Sequence, residues 1–452
     1  MGTSGEQRLD AVLRAQNPWW ASGALPPRTR HTQARAQDEK LSTSSGAVLL
    51  VGPRRSGKTA TLMRLLDGHL RAGRRPRDAA YLPLDHPVLR LAQPGIAVDR
   101  ALRLMQPEGE VLLLLDGLQA LPEWPERFAE VLRTRPGPRV VAAAAVAPGR
   151  EDPAYEICAL QPLDFPEFCA LRGMPDLGPA AIDLLDPVLP EIADPSDDYM
   201  FDRVLDPLLA DYLVRGGFPE AIFEPNLSVA QQAIREGVVS RAVYQDLPAV
   251  VGVQTLADLE RVLLSVLLQE GAPLQAEAFA ETVGLDSGTV ARYLEHLERA
   301  FLVTSLRNFA ASTERSRPRI HPRDPSLTNS LLERGTGVLA RPEERRSLLV
   351  AAVVEHVARV AHGRGYDLAY FREGEVEADL VVVHPEGVMP IVVIDREEVG
   401  EEEAAQVARL MKRIGAPRAY LLSRARPRRR KPLTFFESIY HVPAAYFLYA
   451  LR

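Results

Sequence analysis

At 452 residues the chain is too long for a single hydrophobic core and should divide into about three domains. Apolar residues make up 46% and the net charge is −6, which excludes wholesale disorder and a surface globally dressed for nucleic acid, so any basic patch is local. Cys158 and Cys169 lack zinc spacing, the N-terminus lacks a basic-then-apolar signal pattern, and runs such as Val140 to Val146 are too short to span a bilayer, so a cytoplasmic location without membrane contact is expected.

Positions 1–45 are polar and punctuated by Pro and Arg, with Trp19 and Trp20 as the large apolar anchor, and read as an arm lying on the next domain. Over 46–165, apolar strands alternate with amphipathic stretches: Ala47 to Val51, a helix from Lys58, Ala79 to Leu84, a helix near Asp99 to Met105, Val111 to Leu115 and Arg139 to Val146. This predicts an α/β domain, a parallel sheet covered by helices.

GPRRSGKT, Gly52 to Thr59, fits the pattern Gly-x-x-x-x-Gly-Lys-Thr directly after the strand AVLLV and before a helix with Leu62, Leu65, Leu66 and Leu70 on one face. In such a loop the backbone of Gly52, Pro53, Arg54, Arg55, Ser56 and Gly57 curves round phosphates, Lys58 reaches the β and γ oxygens, and the Thr59 hydroxyl ligates magnesium. Lysine occurs only at 40, 58, 412 and 431, so Lys58 stands out. Asp116, at the end of VLLLLD, is the matching magnesium carboxylate, acting directly or one shell out. The expected ligands are ATP or ADP with Mg²⁺, the metal falling to Thr59 and Asp116. Two departures argue against brisk hydrolysis. Gly117 cannot act as a base, and RVVAAAAV, Arg139 to Val146, ends without the Thr, Ser or Asn that often faces the γ-phosphate. Gln119 could orient a water, as glutamine does in some P-loop enzymes, but two residues past Gly117 it reads rather as an exposed polar residue.

GPRRSGKT, VLLLLDGLQAL, LQPLDFPEF (Leu160 to Phe168) and DYLVRGGFPEA (Asp211 to Ala221), in that order, resemble the prokaryotic AAA-type P-loop ATPases that carry a C-terminal domain of unknown function. Members commonly read Leu-Asp-Glu on the acidic strand and then a Thr-Gly-Ser strand, so this chain departs at Gly117 and at the alanine run. GGFPE resembles the Gly-x-Pro element of related signal-transduction NTPases, where the proline lies near the adenine. That implies Arg215 and Pro219 as lid contacts, a simple turn being the other reading. The resemblance also implies a helical lid over 166–250, a winged helix over 251–335 and a restriction-endonuclease-like α/β domain over 336–452.

Within the lid region, Met174 to Asp211 is acidic and broken by prolines, as in a solvated insertion. FAETVGLDSGTVARYLEHLERAFLV reads as a helix, a Gly-Leu-Asp turn and a helix capped by Ser287, with Val290, Leu294, Leu297 and Phe301 on one face. Its outward Arg292, Glu295, His296, Glu298 and Arg299 nearly cancel in charge, favouring protein packing over DNA reading, although TERSRPRIHPRD beyond it is basic enough for a wing. Glu355, Asp379 and MPIVVIDR follow the order of nuclease carboxylates. The Glu-x-Lys positions, however, hold Val392 and Ile394, with Asp395 a step later, so the metal site of that fold is lost and Asp379 and Glu355 remain as structural acceptors. The basic tail Arg424 to Lys431 is either a phosphate-contacting segment or an exposed loop. The leading expectation is an ATP-binding switch or scaffold with slow or absent hydrolysis, acting on a protein partner or by self-association. Its rivals are a working ATPase with an unrecognised or subunit-supplied base, and an ATP-regulated DNA-binding protein.

Overall fold

The computed structural model describes residues 3–26, 35–44, 46–174, 182–185, 204–251, 255–269, 271–310, 317–424 and 438–451. Most of the acidic stretch between Met174 and Asp211, the start of the basic segment after the paired helices, and the tail beyond Arg424 up to Lys431 lie outside the described residues. The chain forms two compact units: Met1–Pro162 with Gly237–Leu256 and Arg299–Phe301, and Leu163–Glu236 with Ala257–Glu298 and Leu302–Arg452.

In the first unit β1 (Val48–Val51), β2 (Ala79–Pro83), β3 (Leu112–Asp116), β4 (Arg139–Ala144) and β5 (Glu156–Ala159) form one sheet, ordered β2-β3-β4-β1-β5. Every pair is parallel. Helices on both faces explain why these strands are apolar runs rather than alternating patterns. On one face Leu62 and Leu66 of the helix Lys58–Arg71 pack with Leu50 and Leu114. On the other, Val98 and Ala101 of Pro94–Met105 and Phe128 of Trp124–Thr134 pack with Leu49, Leu113 and Leu115. Each fully buried leucine contributes about 1.5–3 kcal/mol. The N-terminal arm adds the helix Thr3–Gln16, with Leu9 and Leu13 in the same core. Trp19 and Trp20 then both donate their indole N–H to the Ala79 carbonyl, at 3.1 and 2.8 Å. A parallel sheet gathers its C-terminal strand ends along one edge, where ligands of open α/β sheets bind. Along that edge β1 runs into Gly52 and β3 into Gly117.

Two π-helical turns, Arg235–Ser240 and Ala242–Asp246, and the helix Leu247–Val251 follow later in the chain. From Gly237 onward this segment belongs to the first unit, so the stretch read as a lid, 166–250, is shared between the two.

The second unit is built on β6 (Val303–Asn308), β7 (Arg319–Pro322), β8 (Asp367–Glu373), β9 (Val376–His384), β10 (Gly387–Ile394), β11 (Ala419–Ser423) and β12 (Ile439–Pro443), ordered β12-β11-β10-β9-β8-β6-β7. β6 and β7 pair antiparallel and β6 joins β8 in parallel, so one sheet runs through the stretches 251–335 and 336–452. The helix Pro342–Gly363 packs Val353, Val354 and Val357 with Leu380, Val382 and Ile391. Ahead of β6, the helices Ala276–Val283 and Ser287–Arg299 flank Gly284, whose φ of 68° explains the glycine in that turn. Two details correct the sequence reading. The cap of the second helix is Asp286, whose carboxylate accepts the Thr289 N–H at 2.9 Å, not Ser287. His296 is buried beside Tyr293 and is not an outward residue.

Candidate functional site

The strand β1 delivers the loop Gly52–Gly57 to the start of the helix Lys58–Arg71. Gly52 is required by space, because a Cβ there would collide with the Leu160 carbonyl. Gly57 is required by conformation: it precedes the helix with φ of 102°, a region L side chains rarely adopt. Lys58 is 9% exposed and donates to the Gly52 and Pro53 carbonyls at 2.8 and 2.6 Å. Burial pushes its pKa down to about 8, opposed by the negative charges of Asp116 and Asp246. A buried ammonium bonded to carbonyls rather than to a carboxylate, at a helix N-terminus, is arranged to meet an anion. The Ser56 hydroxyl, fully buried, lacks a hydrogen-bond partner among the described residues.

Three arginines frame the loop. Arg35, from the arm, donates to the carbonyls of Ser56 and Gln161 at 3.3 and 3.1 Å. Arg54 grips Asp246 with two bonds, Nε to Oδ2 at 2.5 Å and Nη2 to Oδ1 at 2.6 Å. Arg55 packs against Gly237, where an added Cβ would meet its guanidinium. The segment from Gly237 to Val251 is thereby fastened to two consecutive loop residues. Asp246 is a site residue that the sequence did not disclose, because its partner lies 192 positions away.

At the end of β3 the Thr59 hydroxyl donates to Asp116 Oδ2 at 2.6 Å, and the Tyr81 hydroxyl of β2 donates to the same oxygen at 2.8 Å. The two residues expected to hold a divalent ion are therefore in contact. Leu84 N–H donates to the Asp116 carbonyl at 2.7 Å, tying the ends of β2 and β3 together. Just beyond that tie Gly117 has φ of 75°, and a Cβ on it would lie 3.1 Å from both Cβ and Cγ of Asp85. A side chain at 117 would thus strain the backbone and push Asp85 aside, so the position is more than a lost acid. Asp85 is exposed, and burial of part of its surface, then the Asp116 charge, raise its pKa. Sequence reasoning missed it; it lies two residues beyond β2, whose last residue, Pro83, is the one that pairs with Asp116. Gln119 is buried, contrary to expectation, and its side-chain oxygen accepts the Ala145 N–H at 3.0 Å beyond the alanine strand.

Gly52 to Thr59 and Asp116 come together in the first unit; Arg215 and Pro219 belong to the second. Arg215 donates to Asp211 at 2.7 Å, to the Glu224 carbonyl at 2.6 Å and to the Pro225 carbonyl at 3.1 Å, closing the turn round the helix Pro219–Phe223. The adjacent glycines also have local reasons: side chains on Gly216 and Gly217 would strike Asp324 and the Leu163 carbonyl. This supports the turn reading.

The carboxylates of the nuclease-like stretch face arginines, Glu355 the most loosely, at 3.9 Å from Arg359 Nε. Asp379 accepts from Arg346 at 2.6 Å and from the Val393 N–H at 2.8 Å. Asp395 pairs with Arg345 and Arg424, each at 2.7 Å. Glu355 is buried with both oxygens lacking a hydrogen-bond partner among the described residues, and burial raises its pKa. No group of three or more metal-ligating side chains occurs among the described residues. Nor is any described helix long and apolar enough to cross a membrane.

Residues 44–169, most of them in the first unit, match a family model described as an AAA domain. Residues 206–337 match a model described only as a domain of unknown function. Comparison with curated proteins found no match. Among solved structures, the chain is similar to a signal-transduction ATPase with numerous domains and a tetratricopeptide repeat sensor from Pyrococcus horikoshii, at 9% identity and a TM-score of 0.25, covering 75% of this chain and 47% of that one. It is also similar to PCH-2 of C. elegans, at 15% identity and a TM-score of 0.26, covering 52% of this chain and 67% of that one. The chain thus spans about half the length of the first of these, and scores this low establish no shared fold across the chain.

Proposed function

We propose that this chain binds ATP with magnesium in the loop Gly52–Thr59 and acts as a nucleotide-controlled switch or scaffold that turns ATP over slowly. One observation carries the reading: the Thr59 hydroxyl and the Asp116 carboxylate are paired at 2.6 Å beside a buried Lys58, at the C-terminal edge of a parallel sheet. The residues fit the group. Gly52 to Thr59 offer backbone N–H groups and a buried ammonium to phosphates, and Thr59 and Asp116 offer the hard oxygen ligands that magnesium takes. Magnesium, when bound there, supplies charge neutralisation for the phosphates.

Slow turnover follows from what surrounds the loop. Position 117 carries no acid, and the strand β4 ends in alanine where a polar side chain would face the γ-phosphate. The segment Gly237–Val251, fastened to the loop through Arg54 and Asp246, is the element that nucleotide would bias. The test is to identify the nucleotide that purified protein carries and to follow phosphate release from added ATP. Co-purified ATP or ADP with release well below the usual enzymatic range of about 1–10³ s⁻¹ is expected. Brisk release would replace the switch by a working ATPase.

A further inference from the structure

Position 117, where the ATPases this chain resembles place an acid, is a glycine in left-handed backbone here, and the side chain beside it is another acid. The carboxyl carbon of Asp85 lies 3.1 Å from the point where a residue at 117 would begin its side chain. We propose that Asp85, at the end of the neighbouring strand β2, is the catalytic carboxylate of this site, receiving the proton of the attacking water. The inference rests on the reading of Gly52–Thr59 as an ATP site.

Three independent features place Asp85 there. The Leu84 N–H to Asp116 carbonyl bond fixes the chain just before Asp85 to the magnesium-side carboxylate, so the two acids sit on tied strand ends. Cβ and the carboxyl carbon of Asp85 both lie 3.1 Å from the point where a side chain on Gly117, the residue after Asp116, would begin, which puts the carboxyl group beside the metal-side strand end. Asp85 is exposed, whereas Tyr81 and Gln119, the other polar side chains nearby, are spent on Asp116 and on the Ala145 N–H. Asp246, by contrast, is 2% exposed and gripped by Arg54.

In the step this implies, the water oxygen forms a bond to the γ-phosphorus as the bridging bond between β- and γ-phosphates breaks. The electron pair of that bond leaves on ADP, and the water's proton passes to an Asp85 oxygen and from there to solvent. An aspartate reaches one methylene less far than the glutamate of the usual arrangement, and no polar side chain from β4 assists it, which is why turnover is slow rather than absent.

The experiment compares wild type, Asp85→Asn and Asp85→Glu in phosphate release, in equilibrium affinity for ATP and ADP, and in the nucleotide recovered from purified protein. Asp85→Asn is expected to lower phosphate release by about 10²-fold, as loss of a general base does. Its ATP affinity should stay within about threefold of wild type, and ATP should accumulate in the purified variant in place of ADP. Asp85→Glu, which keeps a carboxylate, should keep measurable turnover. Bound ATP with release indifferent to Asp85→Asn, or no release from wild type at all, overturns the assignment and leaves ATP binding standing. Loss of ATP affinity in Asp85→Asn overturns it in favour of a binding role. Absence of ATP binding in wild type overturns the ATP site itself.

Discussion

Removing Asp246 tests how firmly the segment after Gly237 is fastened to the phosphate-binding loop. Asp246 is 2% exposed, and the Arg54 side chain it grips is 18% exposed. Both carboxylate oxygens are engaged at 2.5 and 2.6 Å. Truncating one partner of a buried pair leaves the other charge with little water, which costs about 3–5 kcal/mol. The residual exposure of Arg54 argues for the lower figure, so Asp246→Ala should destabilise the first unit by about 3 kcal/mol. At about 2–4 °C per kcal/mol for a unit of this size, the midpoint should fall by about 6–12 °C. The double variant Arg54→Met/Asp246→Leu, which replaces the pair by apolar side chains, should recover most of that loss. The assay is thermal unfolding with and without saturating magnesium and ATP. Nucleotide should raise the midpoint of Asp246→Ala more than that of wild type, because phosphate can replace the lost carboxylate beside Arg54. A loss under about 1 kcal/mol in Asp246→Ala, or a double variant no better than the singles, would refute the clasp.

Other expectations concern single residues. Burial pushes the Lys58 pKa in the folded loop from its ordinary 10.5 down to about 8, so between those values the unfolded chain holds more protons. Stability should therefore rise with pH across that window, by up to about 3 kcal/mol. The difference in unfolding free energy between nucleotide-free wild type and Lys58→Met checks this, and a flat difference curve would dismiss it. Gly117→Glu, the substitution that the motif invites, should cost about 1–2 kcal/mol for its left-handed backbone and bring no gain in phosphate release, because Asp85 fills the space it would enter. Plasmid DNA incubated with Mg²⁺ or Mn²⁺ should stay intact, since Arg346, Arg345 and Arg424 take the places of metal beside Asp379 and Asp395. Cutting that vanishes in Asp379→Ala would contradict that reading.

The sheet of the first unit was legible because its strands are short apolar runs and its loop motif fixes eight successive residues by local chemistry. Lys58, Thr59 and Asp116 fell together as the pattern requires, since a parallel sheet brings the ends of β1 and β3 to one edge. Asp85 was hidden because register, not sequence, decides which residue follows the tie between β2 and β3. Asp246 was hidden by chain separation. Gln119 and His296 were misread for a common reason: a polar side chain that finds a backbone partner or an aromatic neighbour can be buried, and a helical or loop pattern does not announce the partner. In the second unit, β6 joining β8 merges two stretches that the family resemblance separates, and pairing across just over sixty positions is beyond periodicity.

The central claim is that the loop Gly52–Thr59 holds ATP through Lys58. Equilibrium titration of ATP with magnesium into wild type and Lys58→Ala, both shown folded by their unfolding transitions, tests it most directly. Saturable binding by wild type that is lost in Lys58→Ala is the predicted result; equal affinity in the two proteins would contradict it.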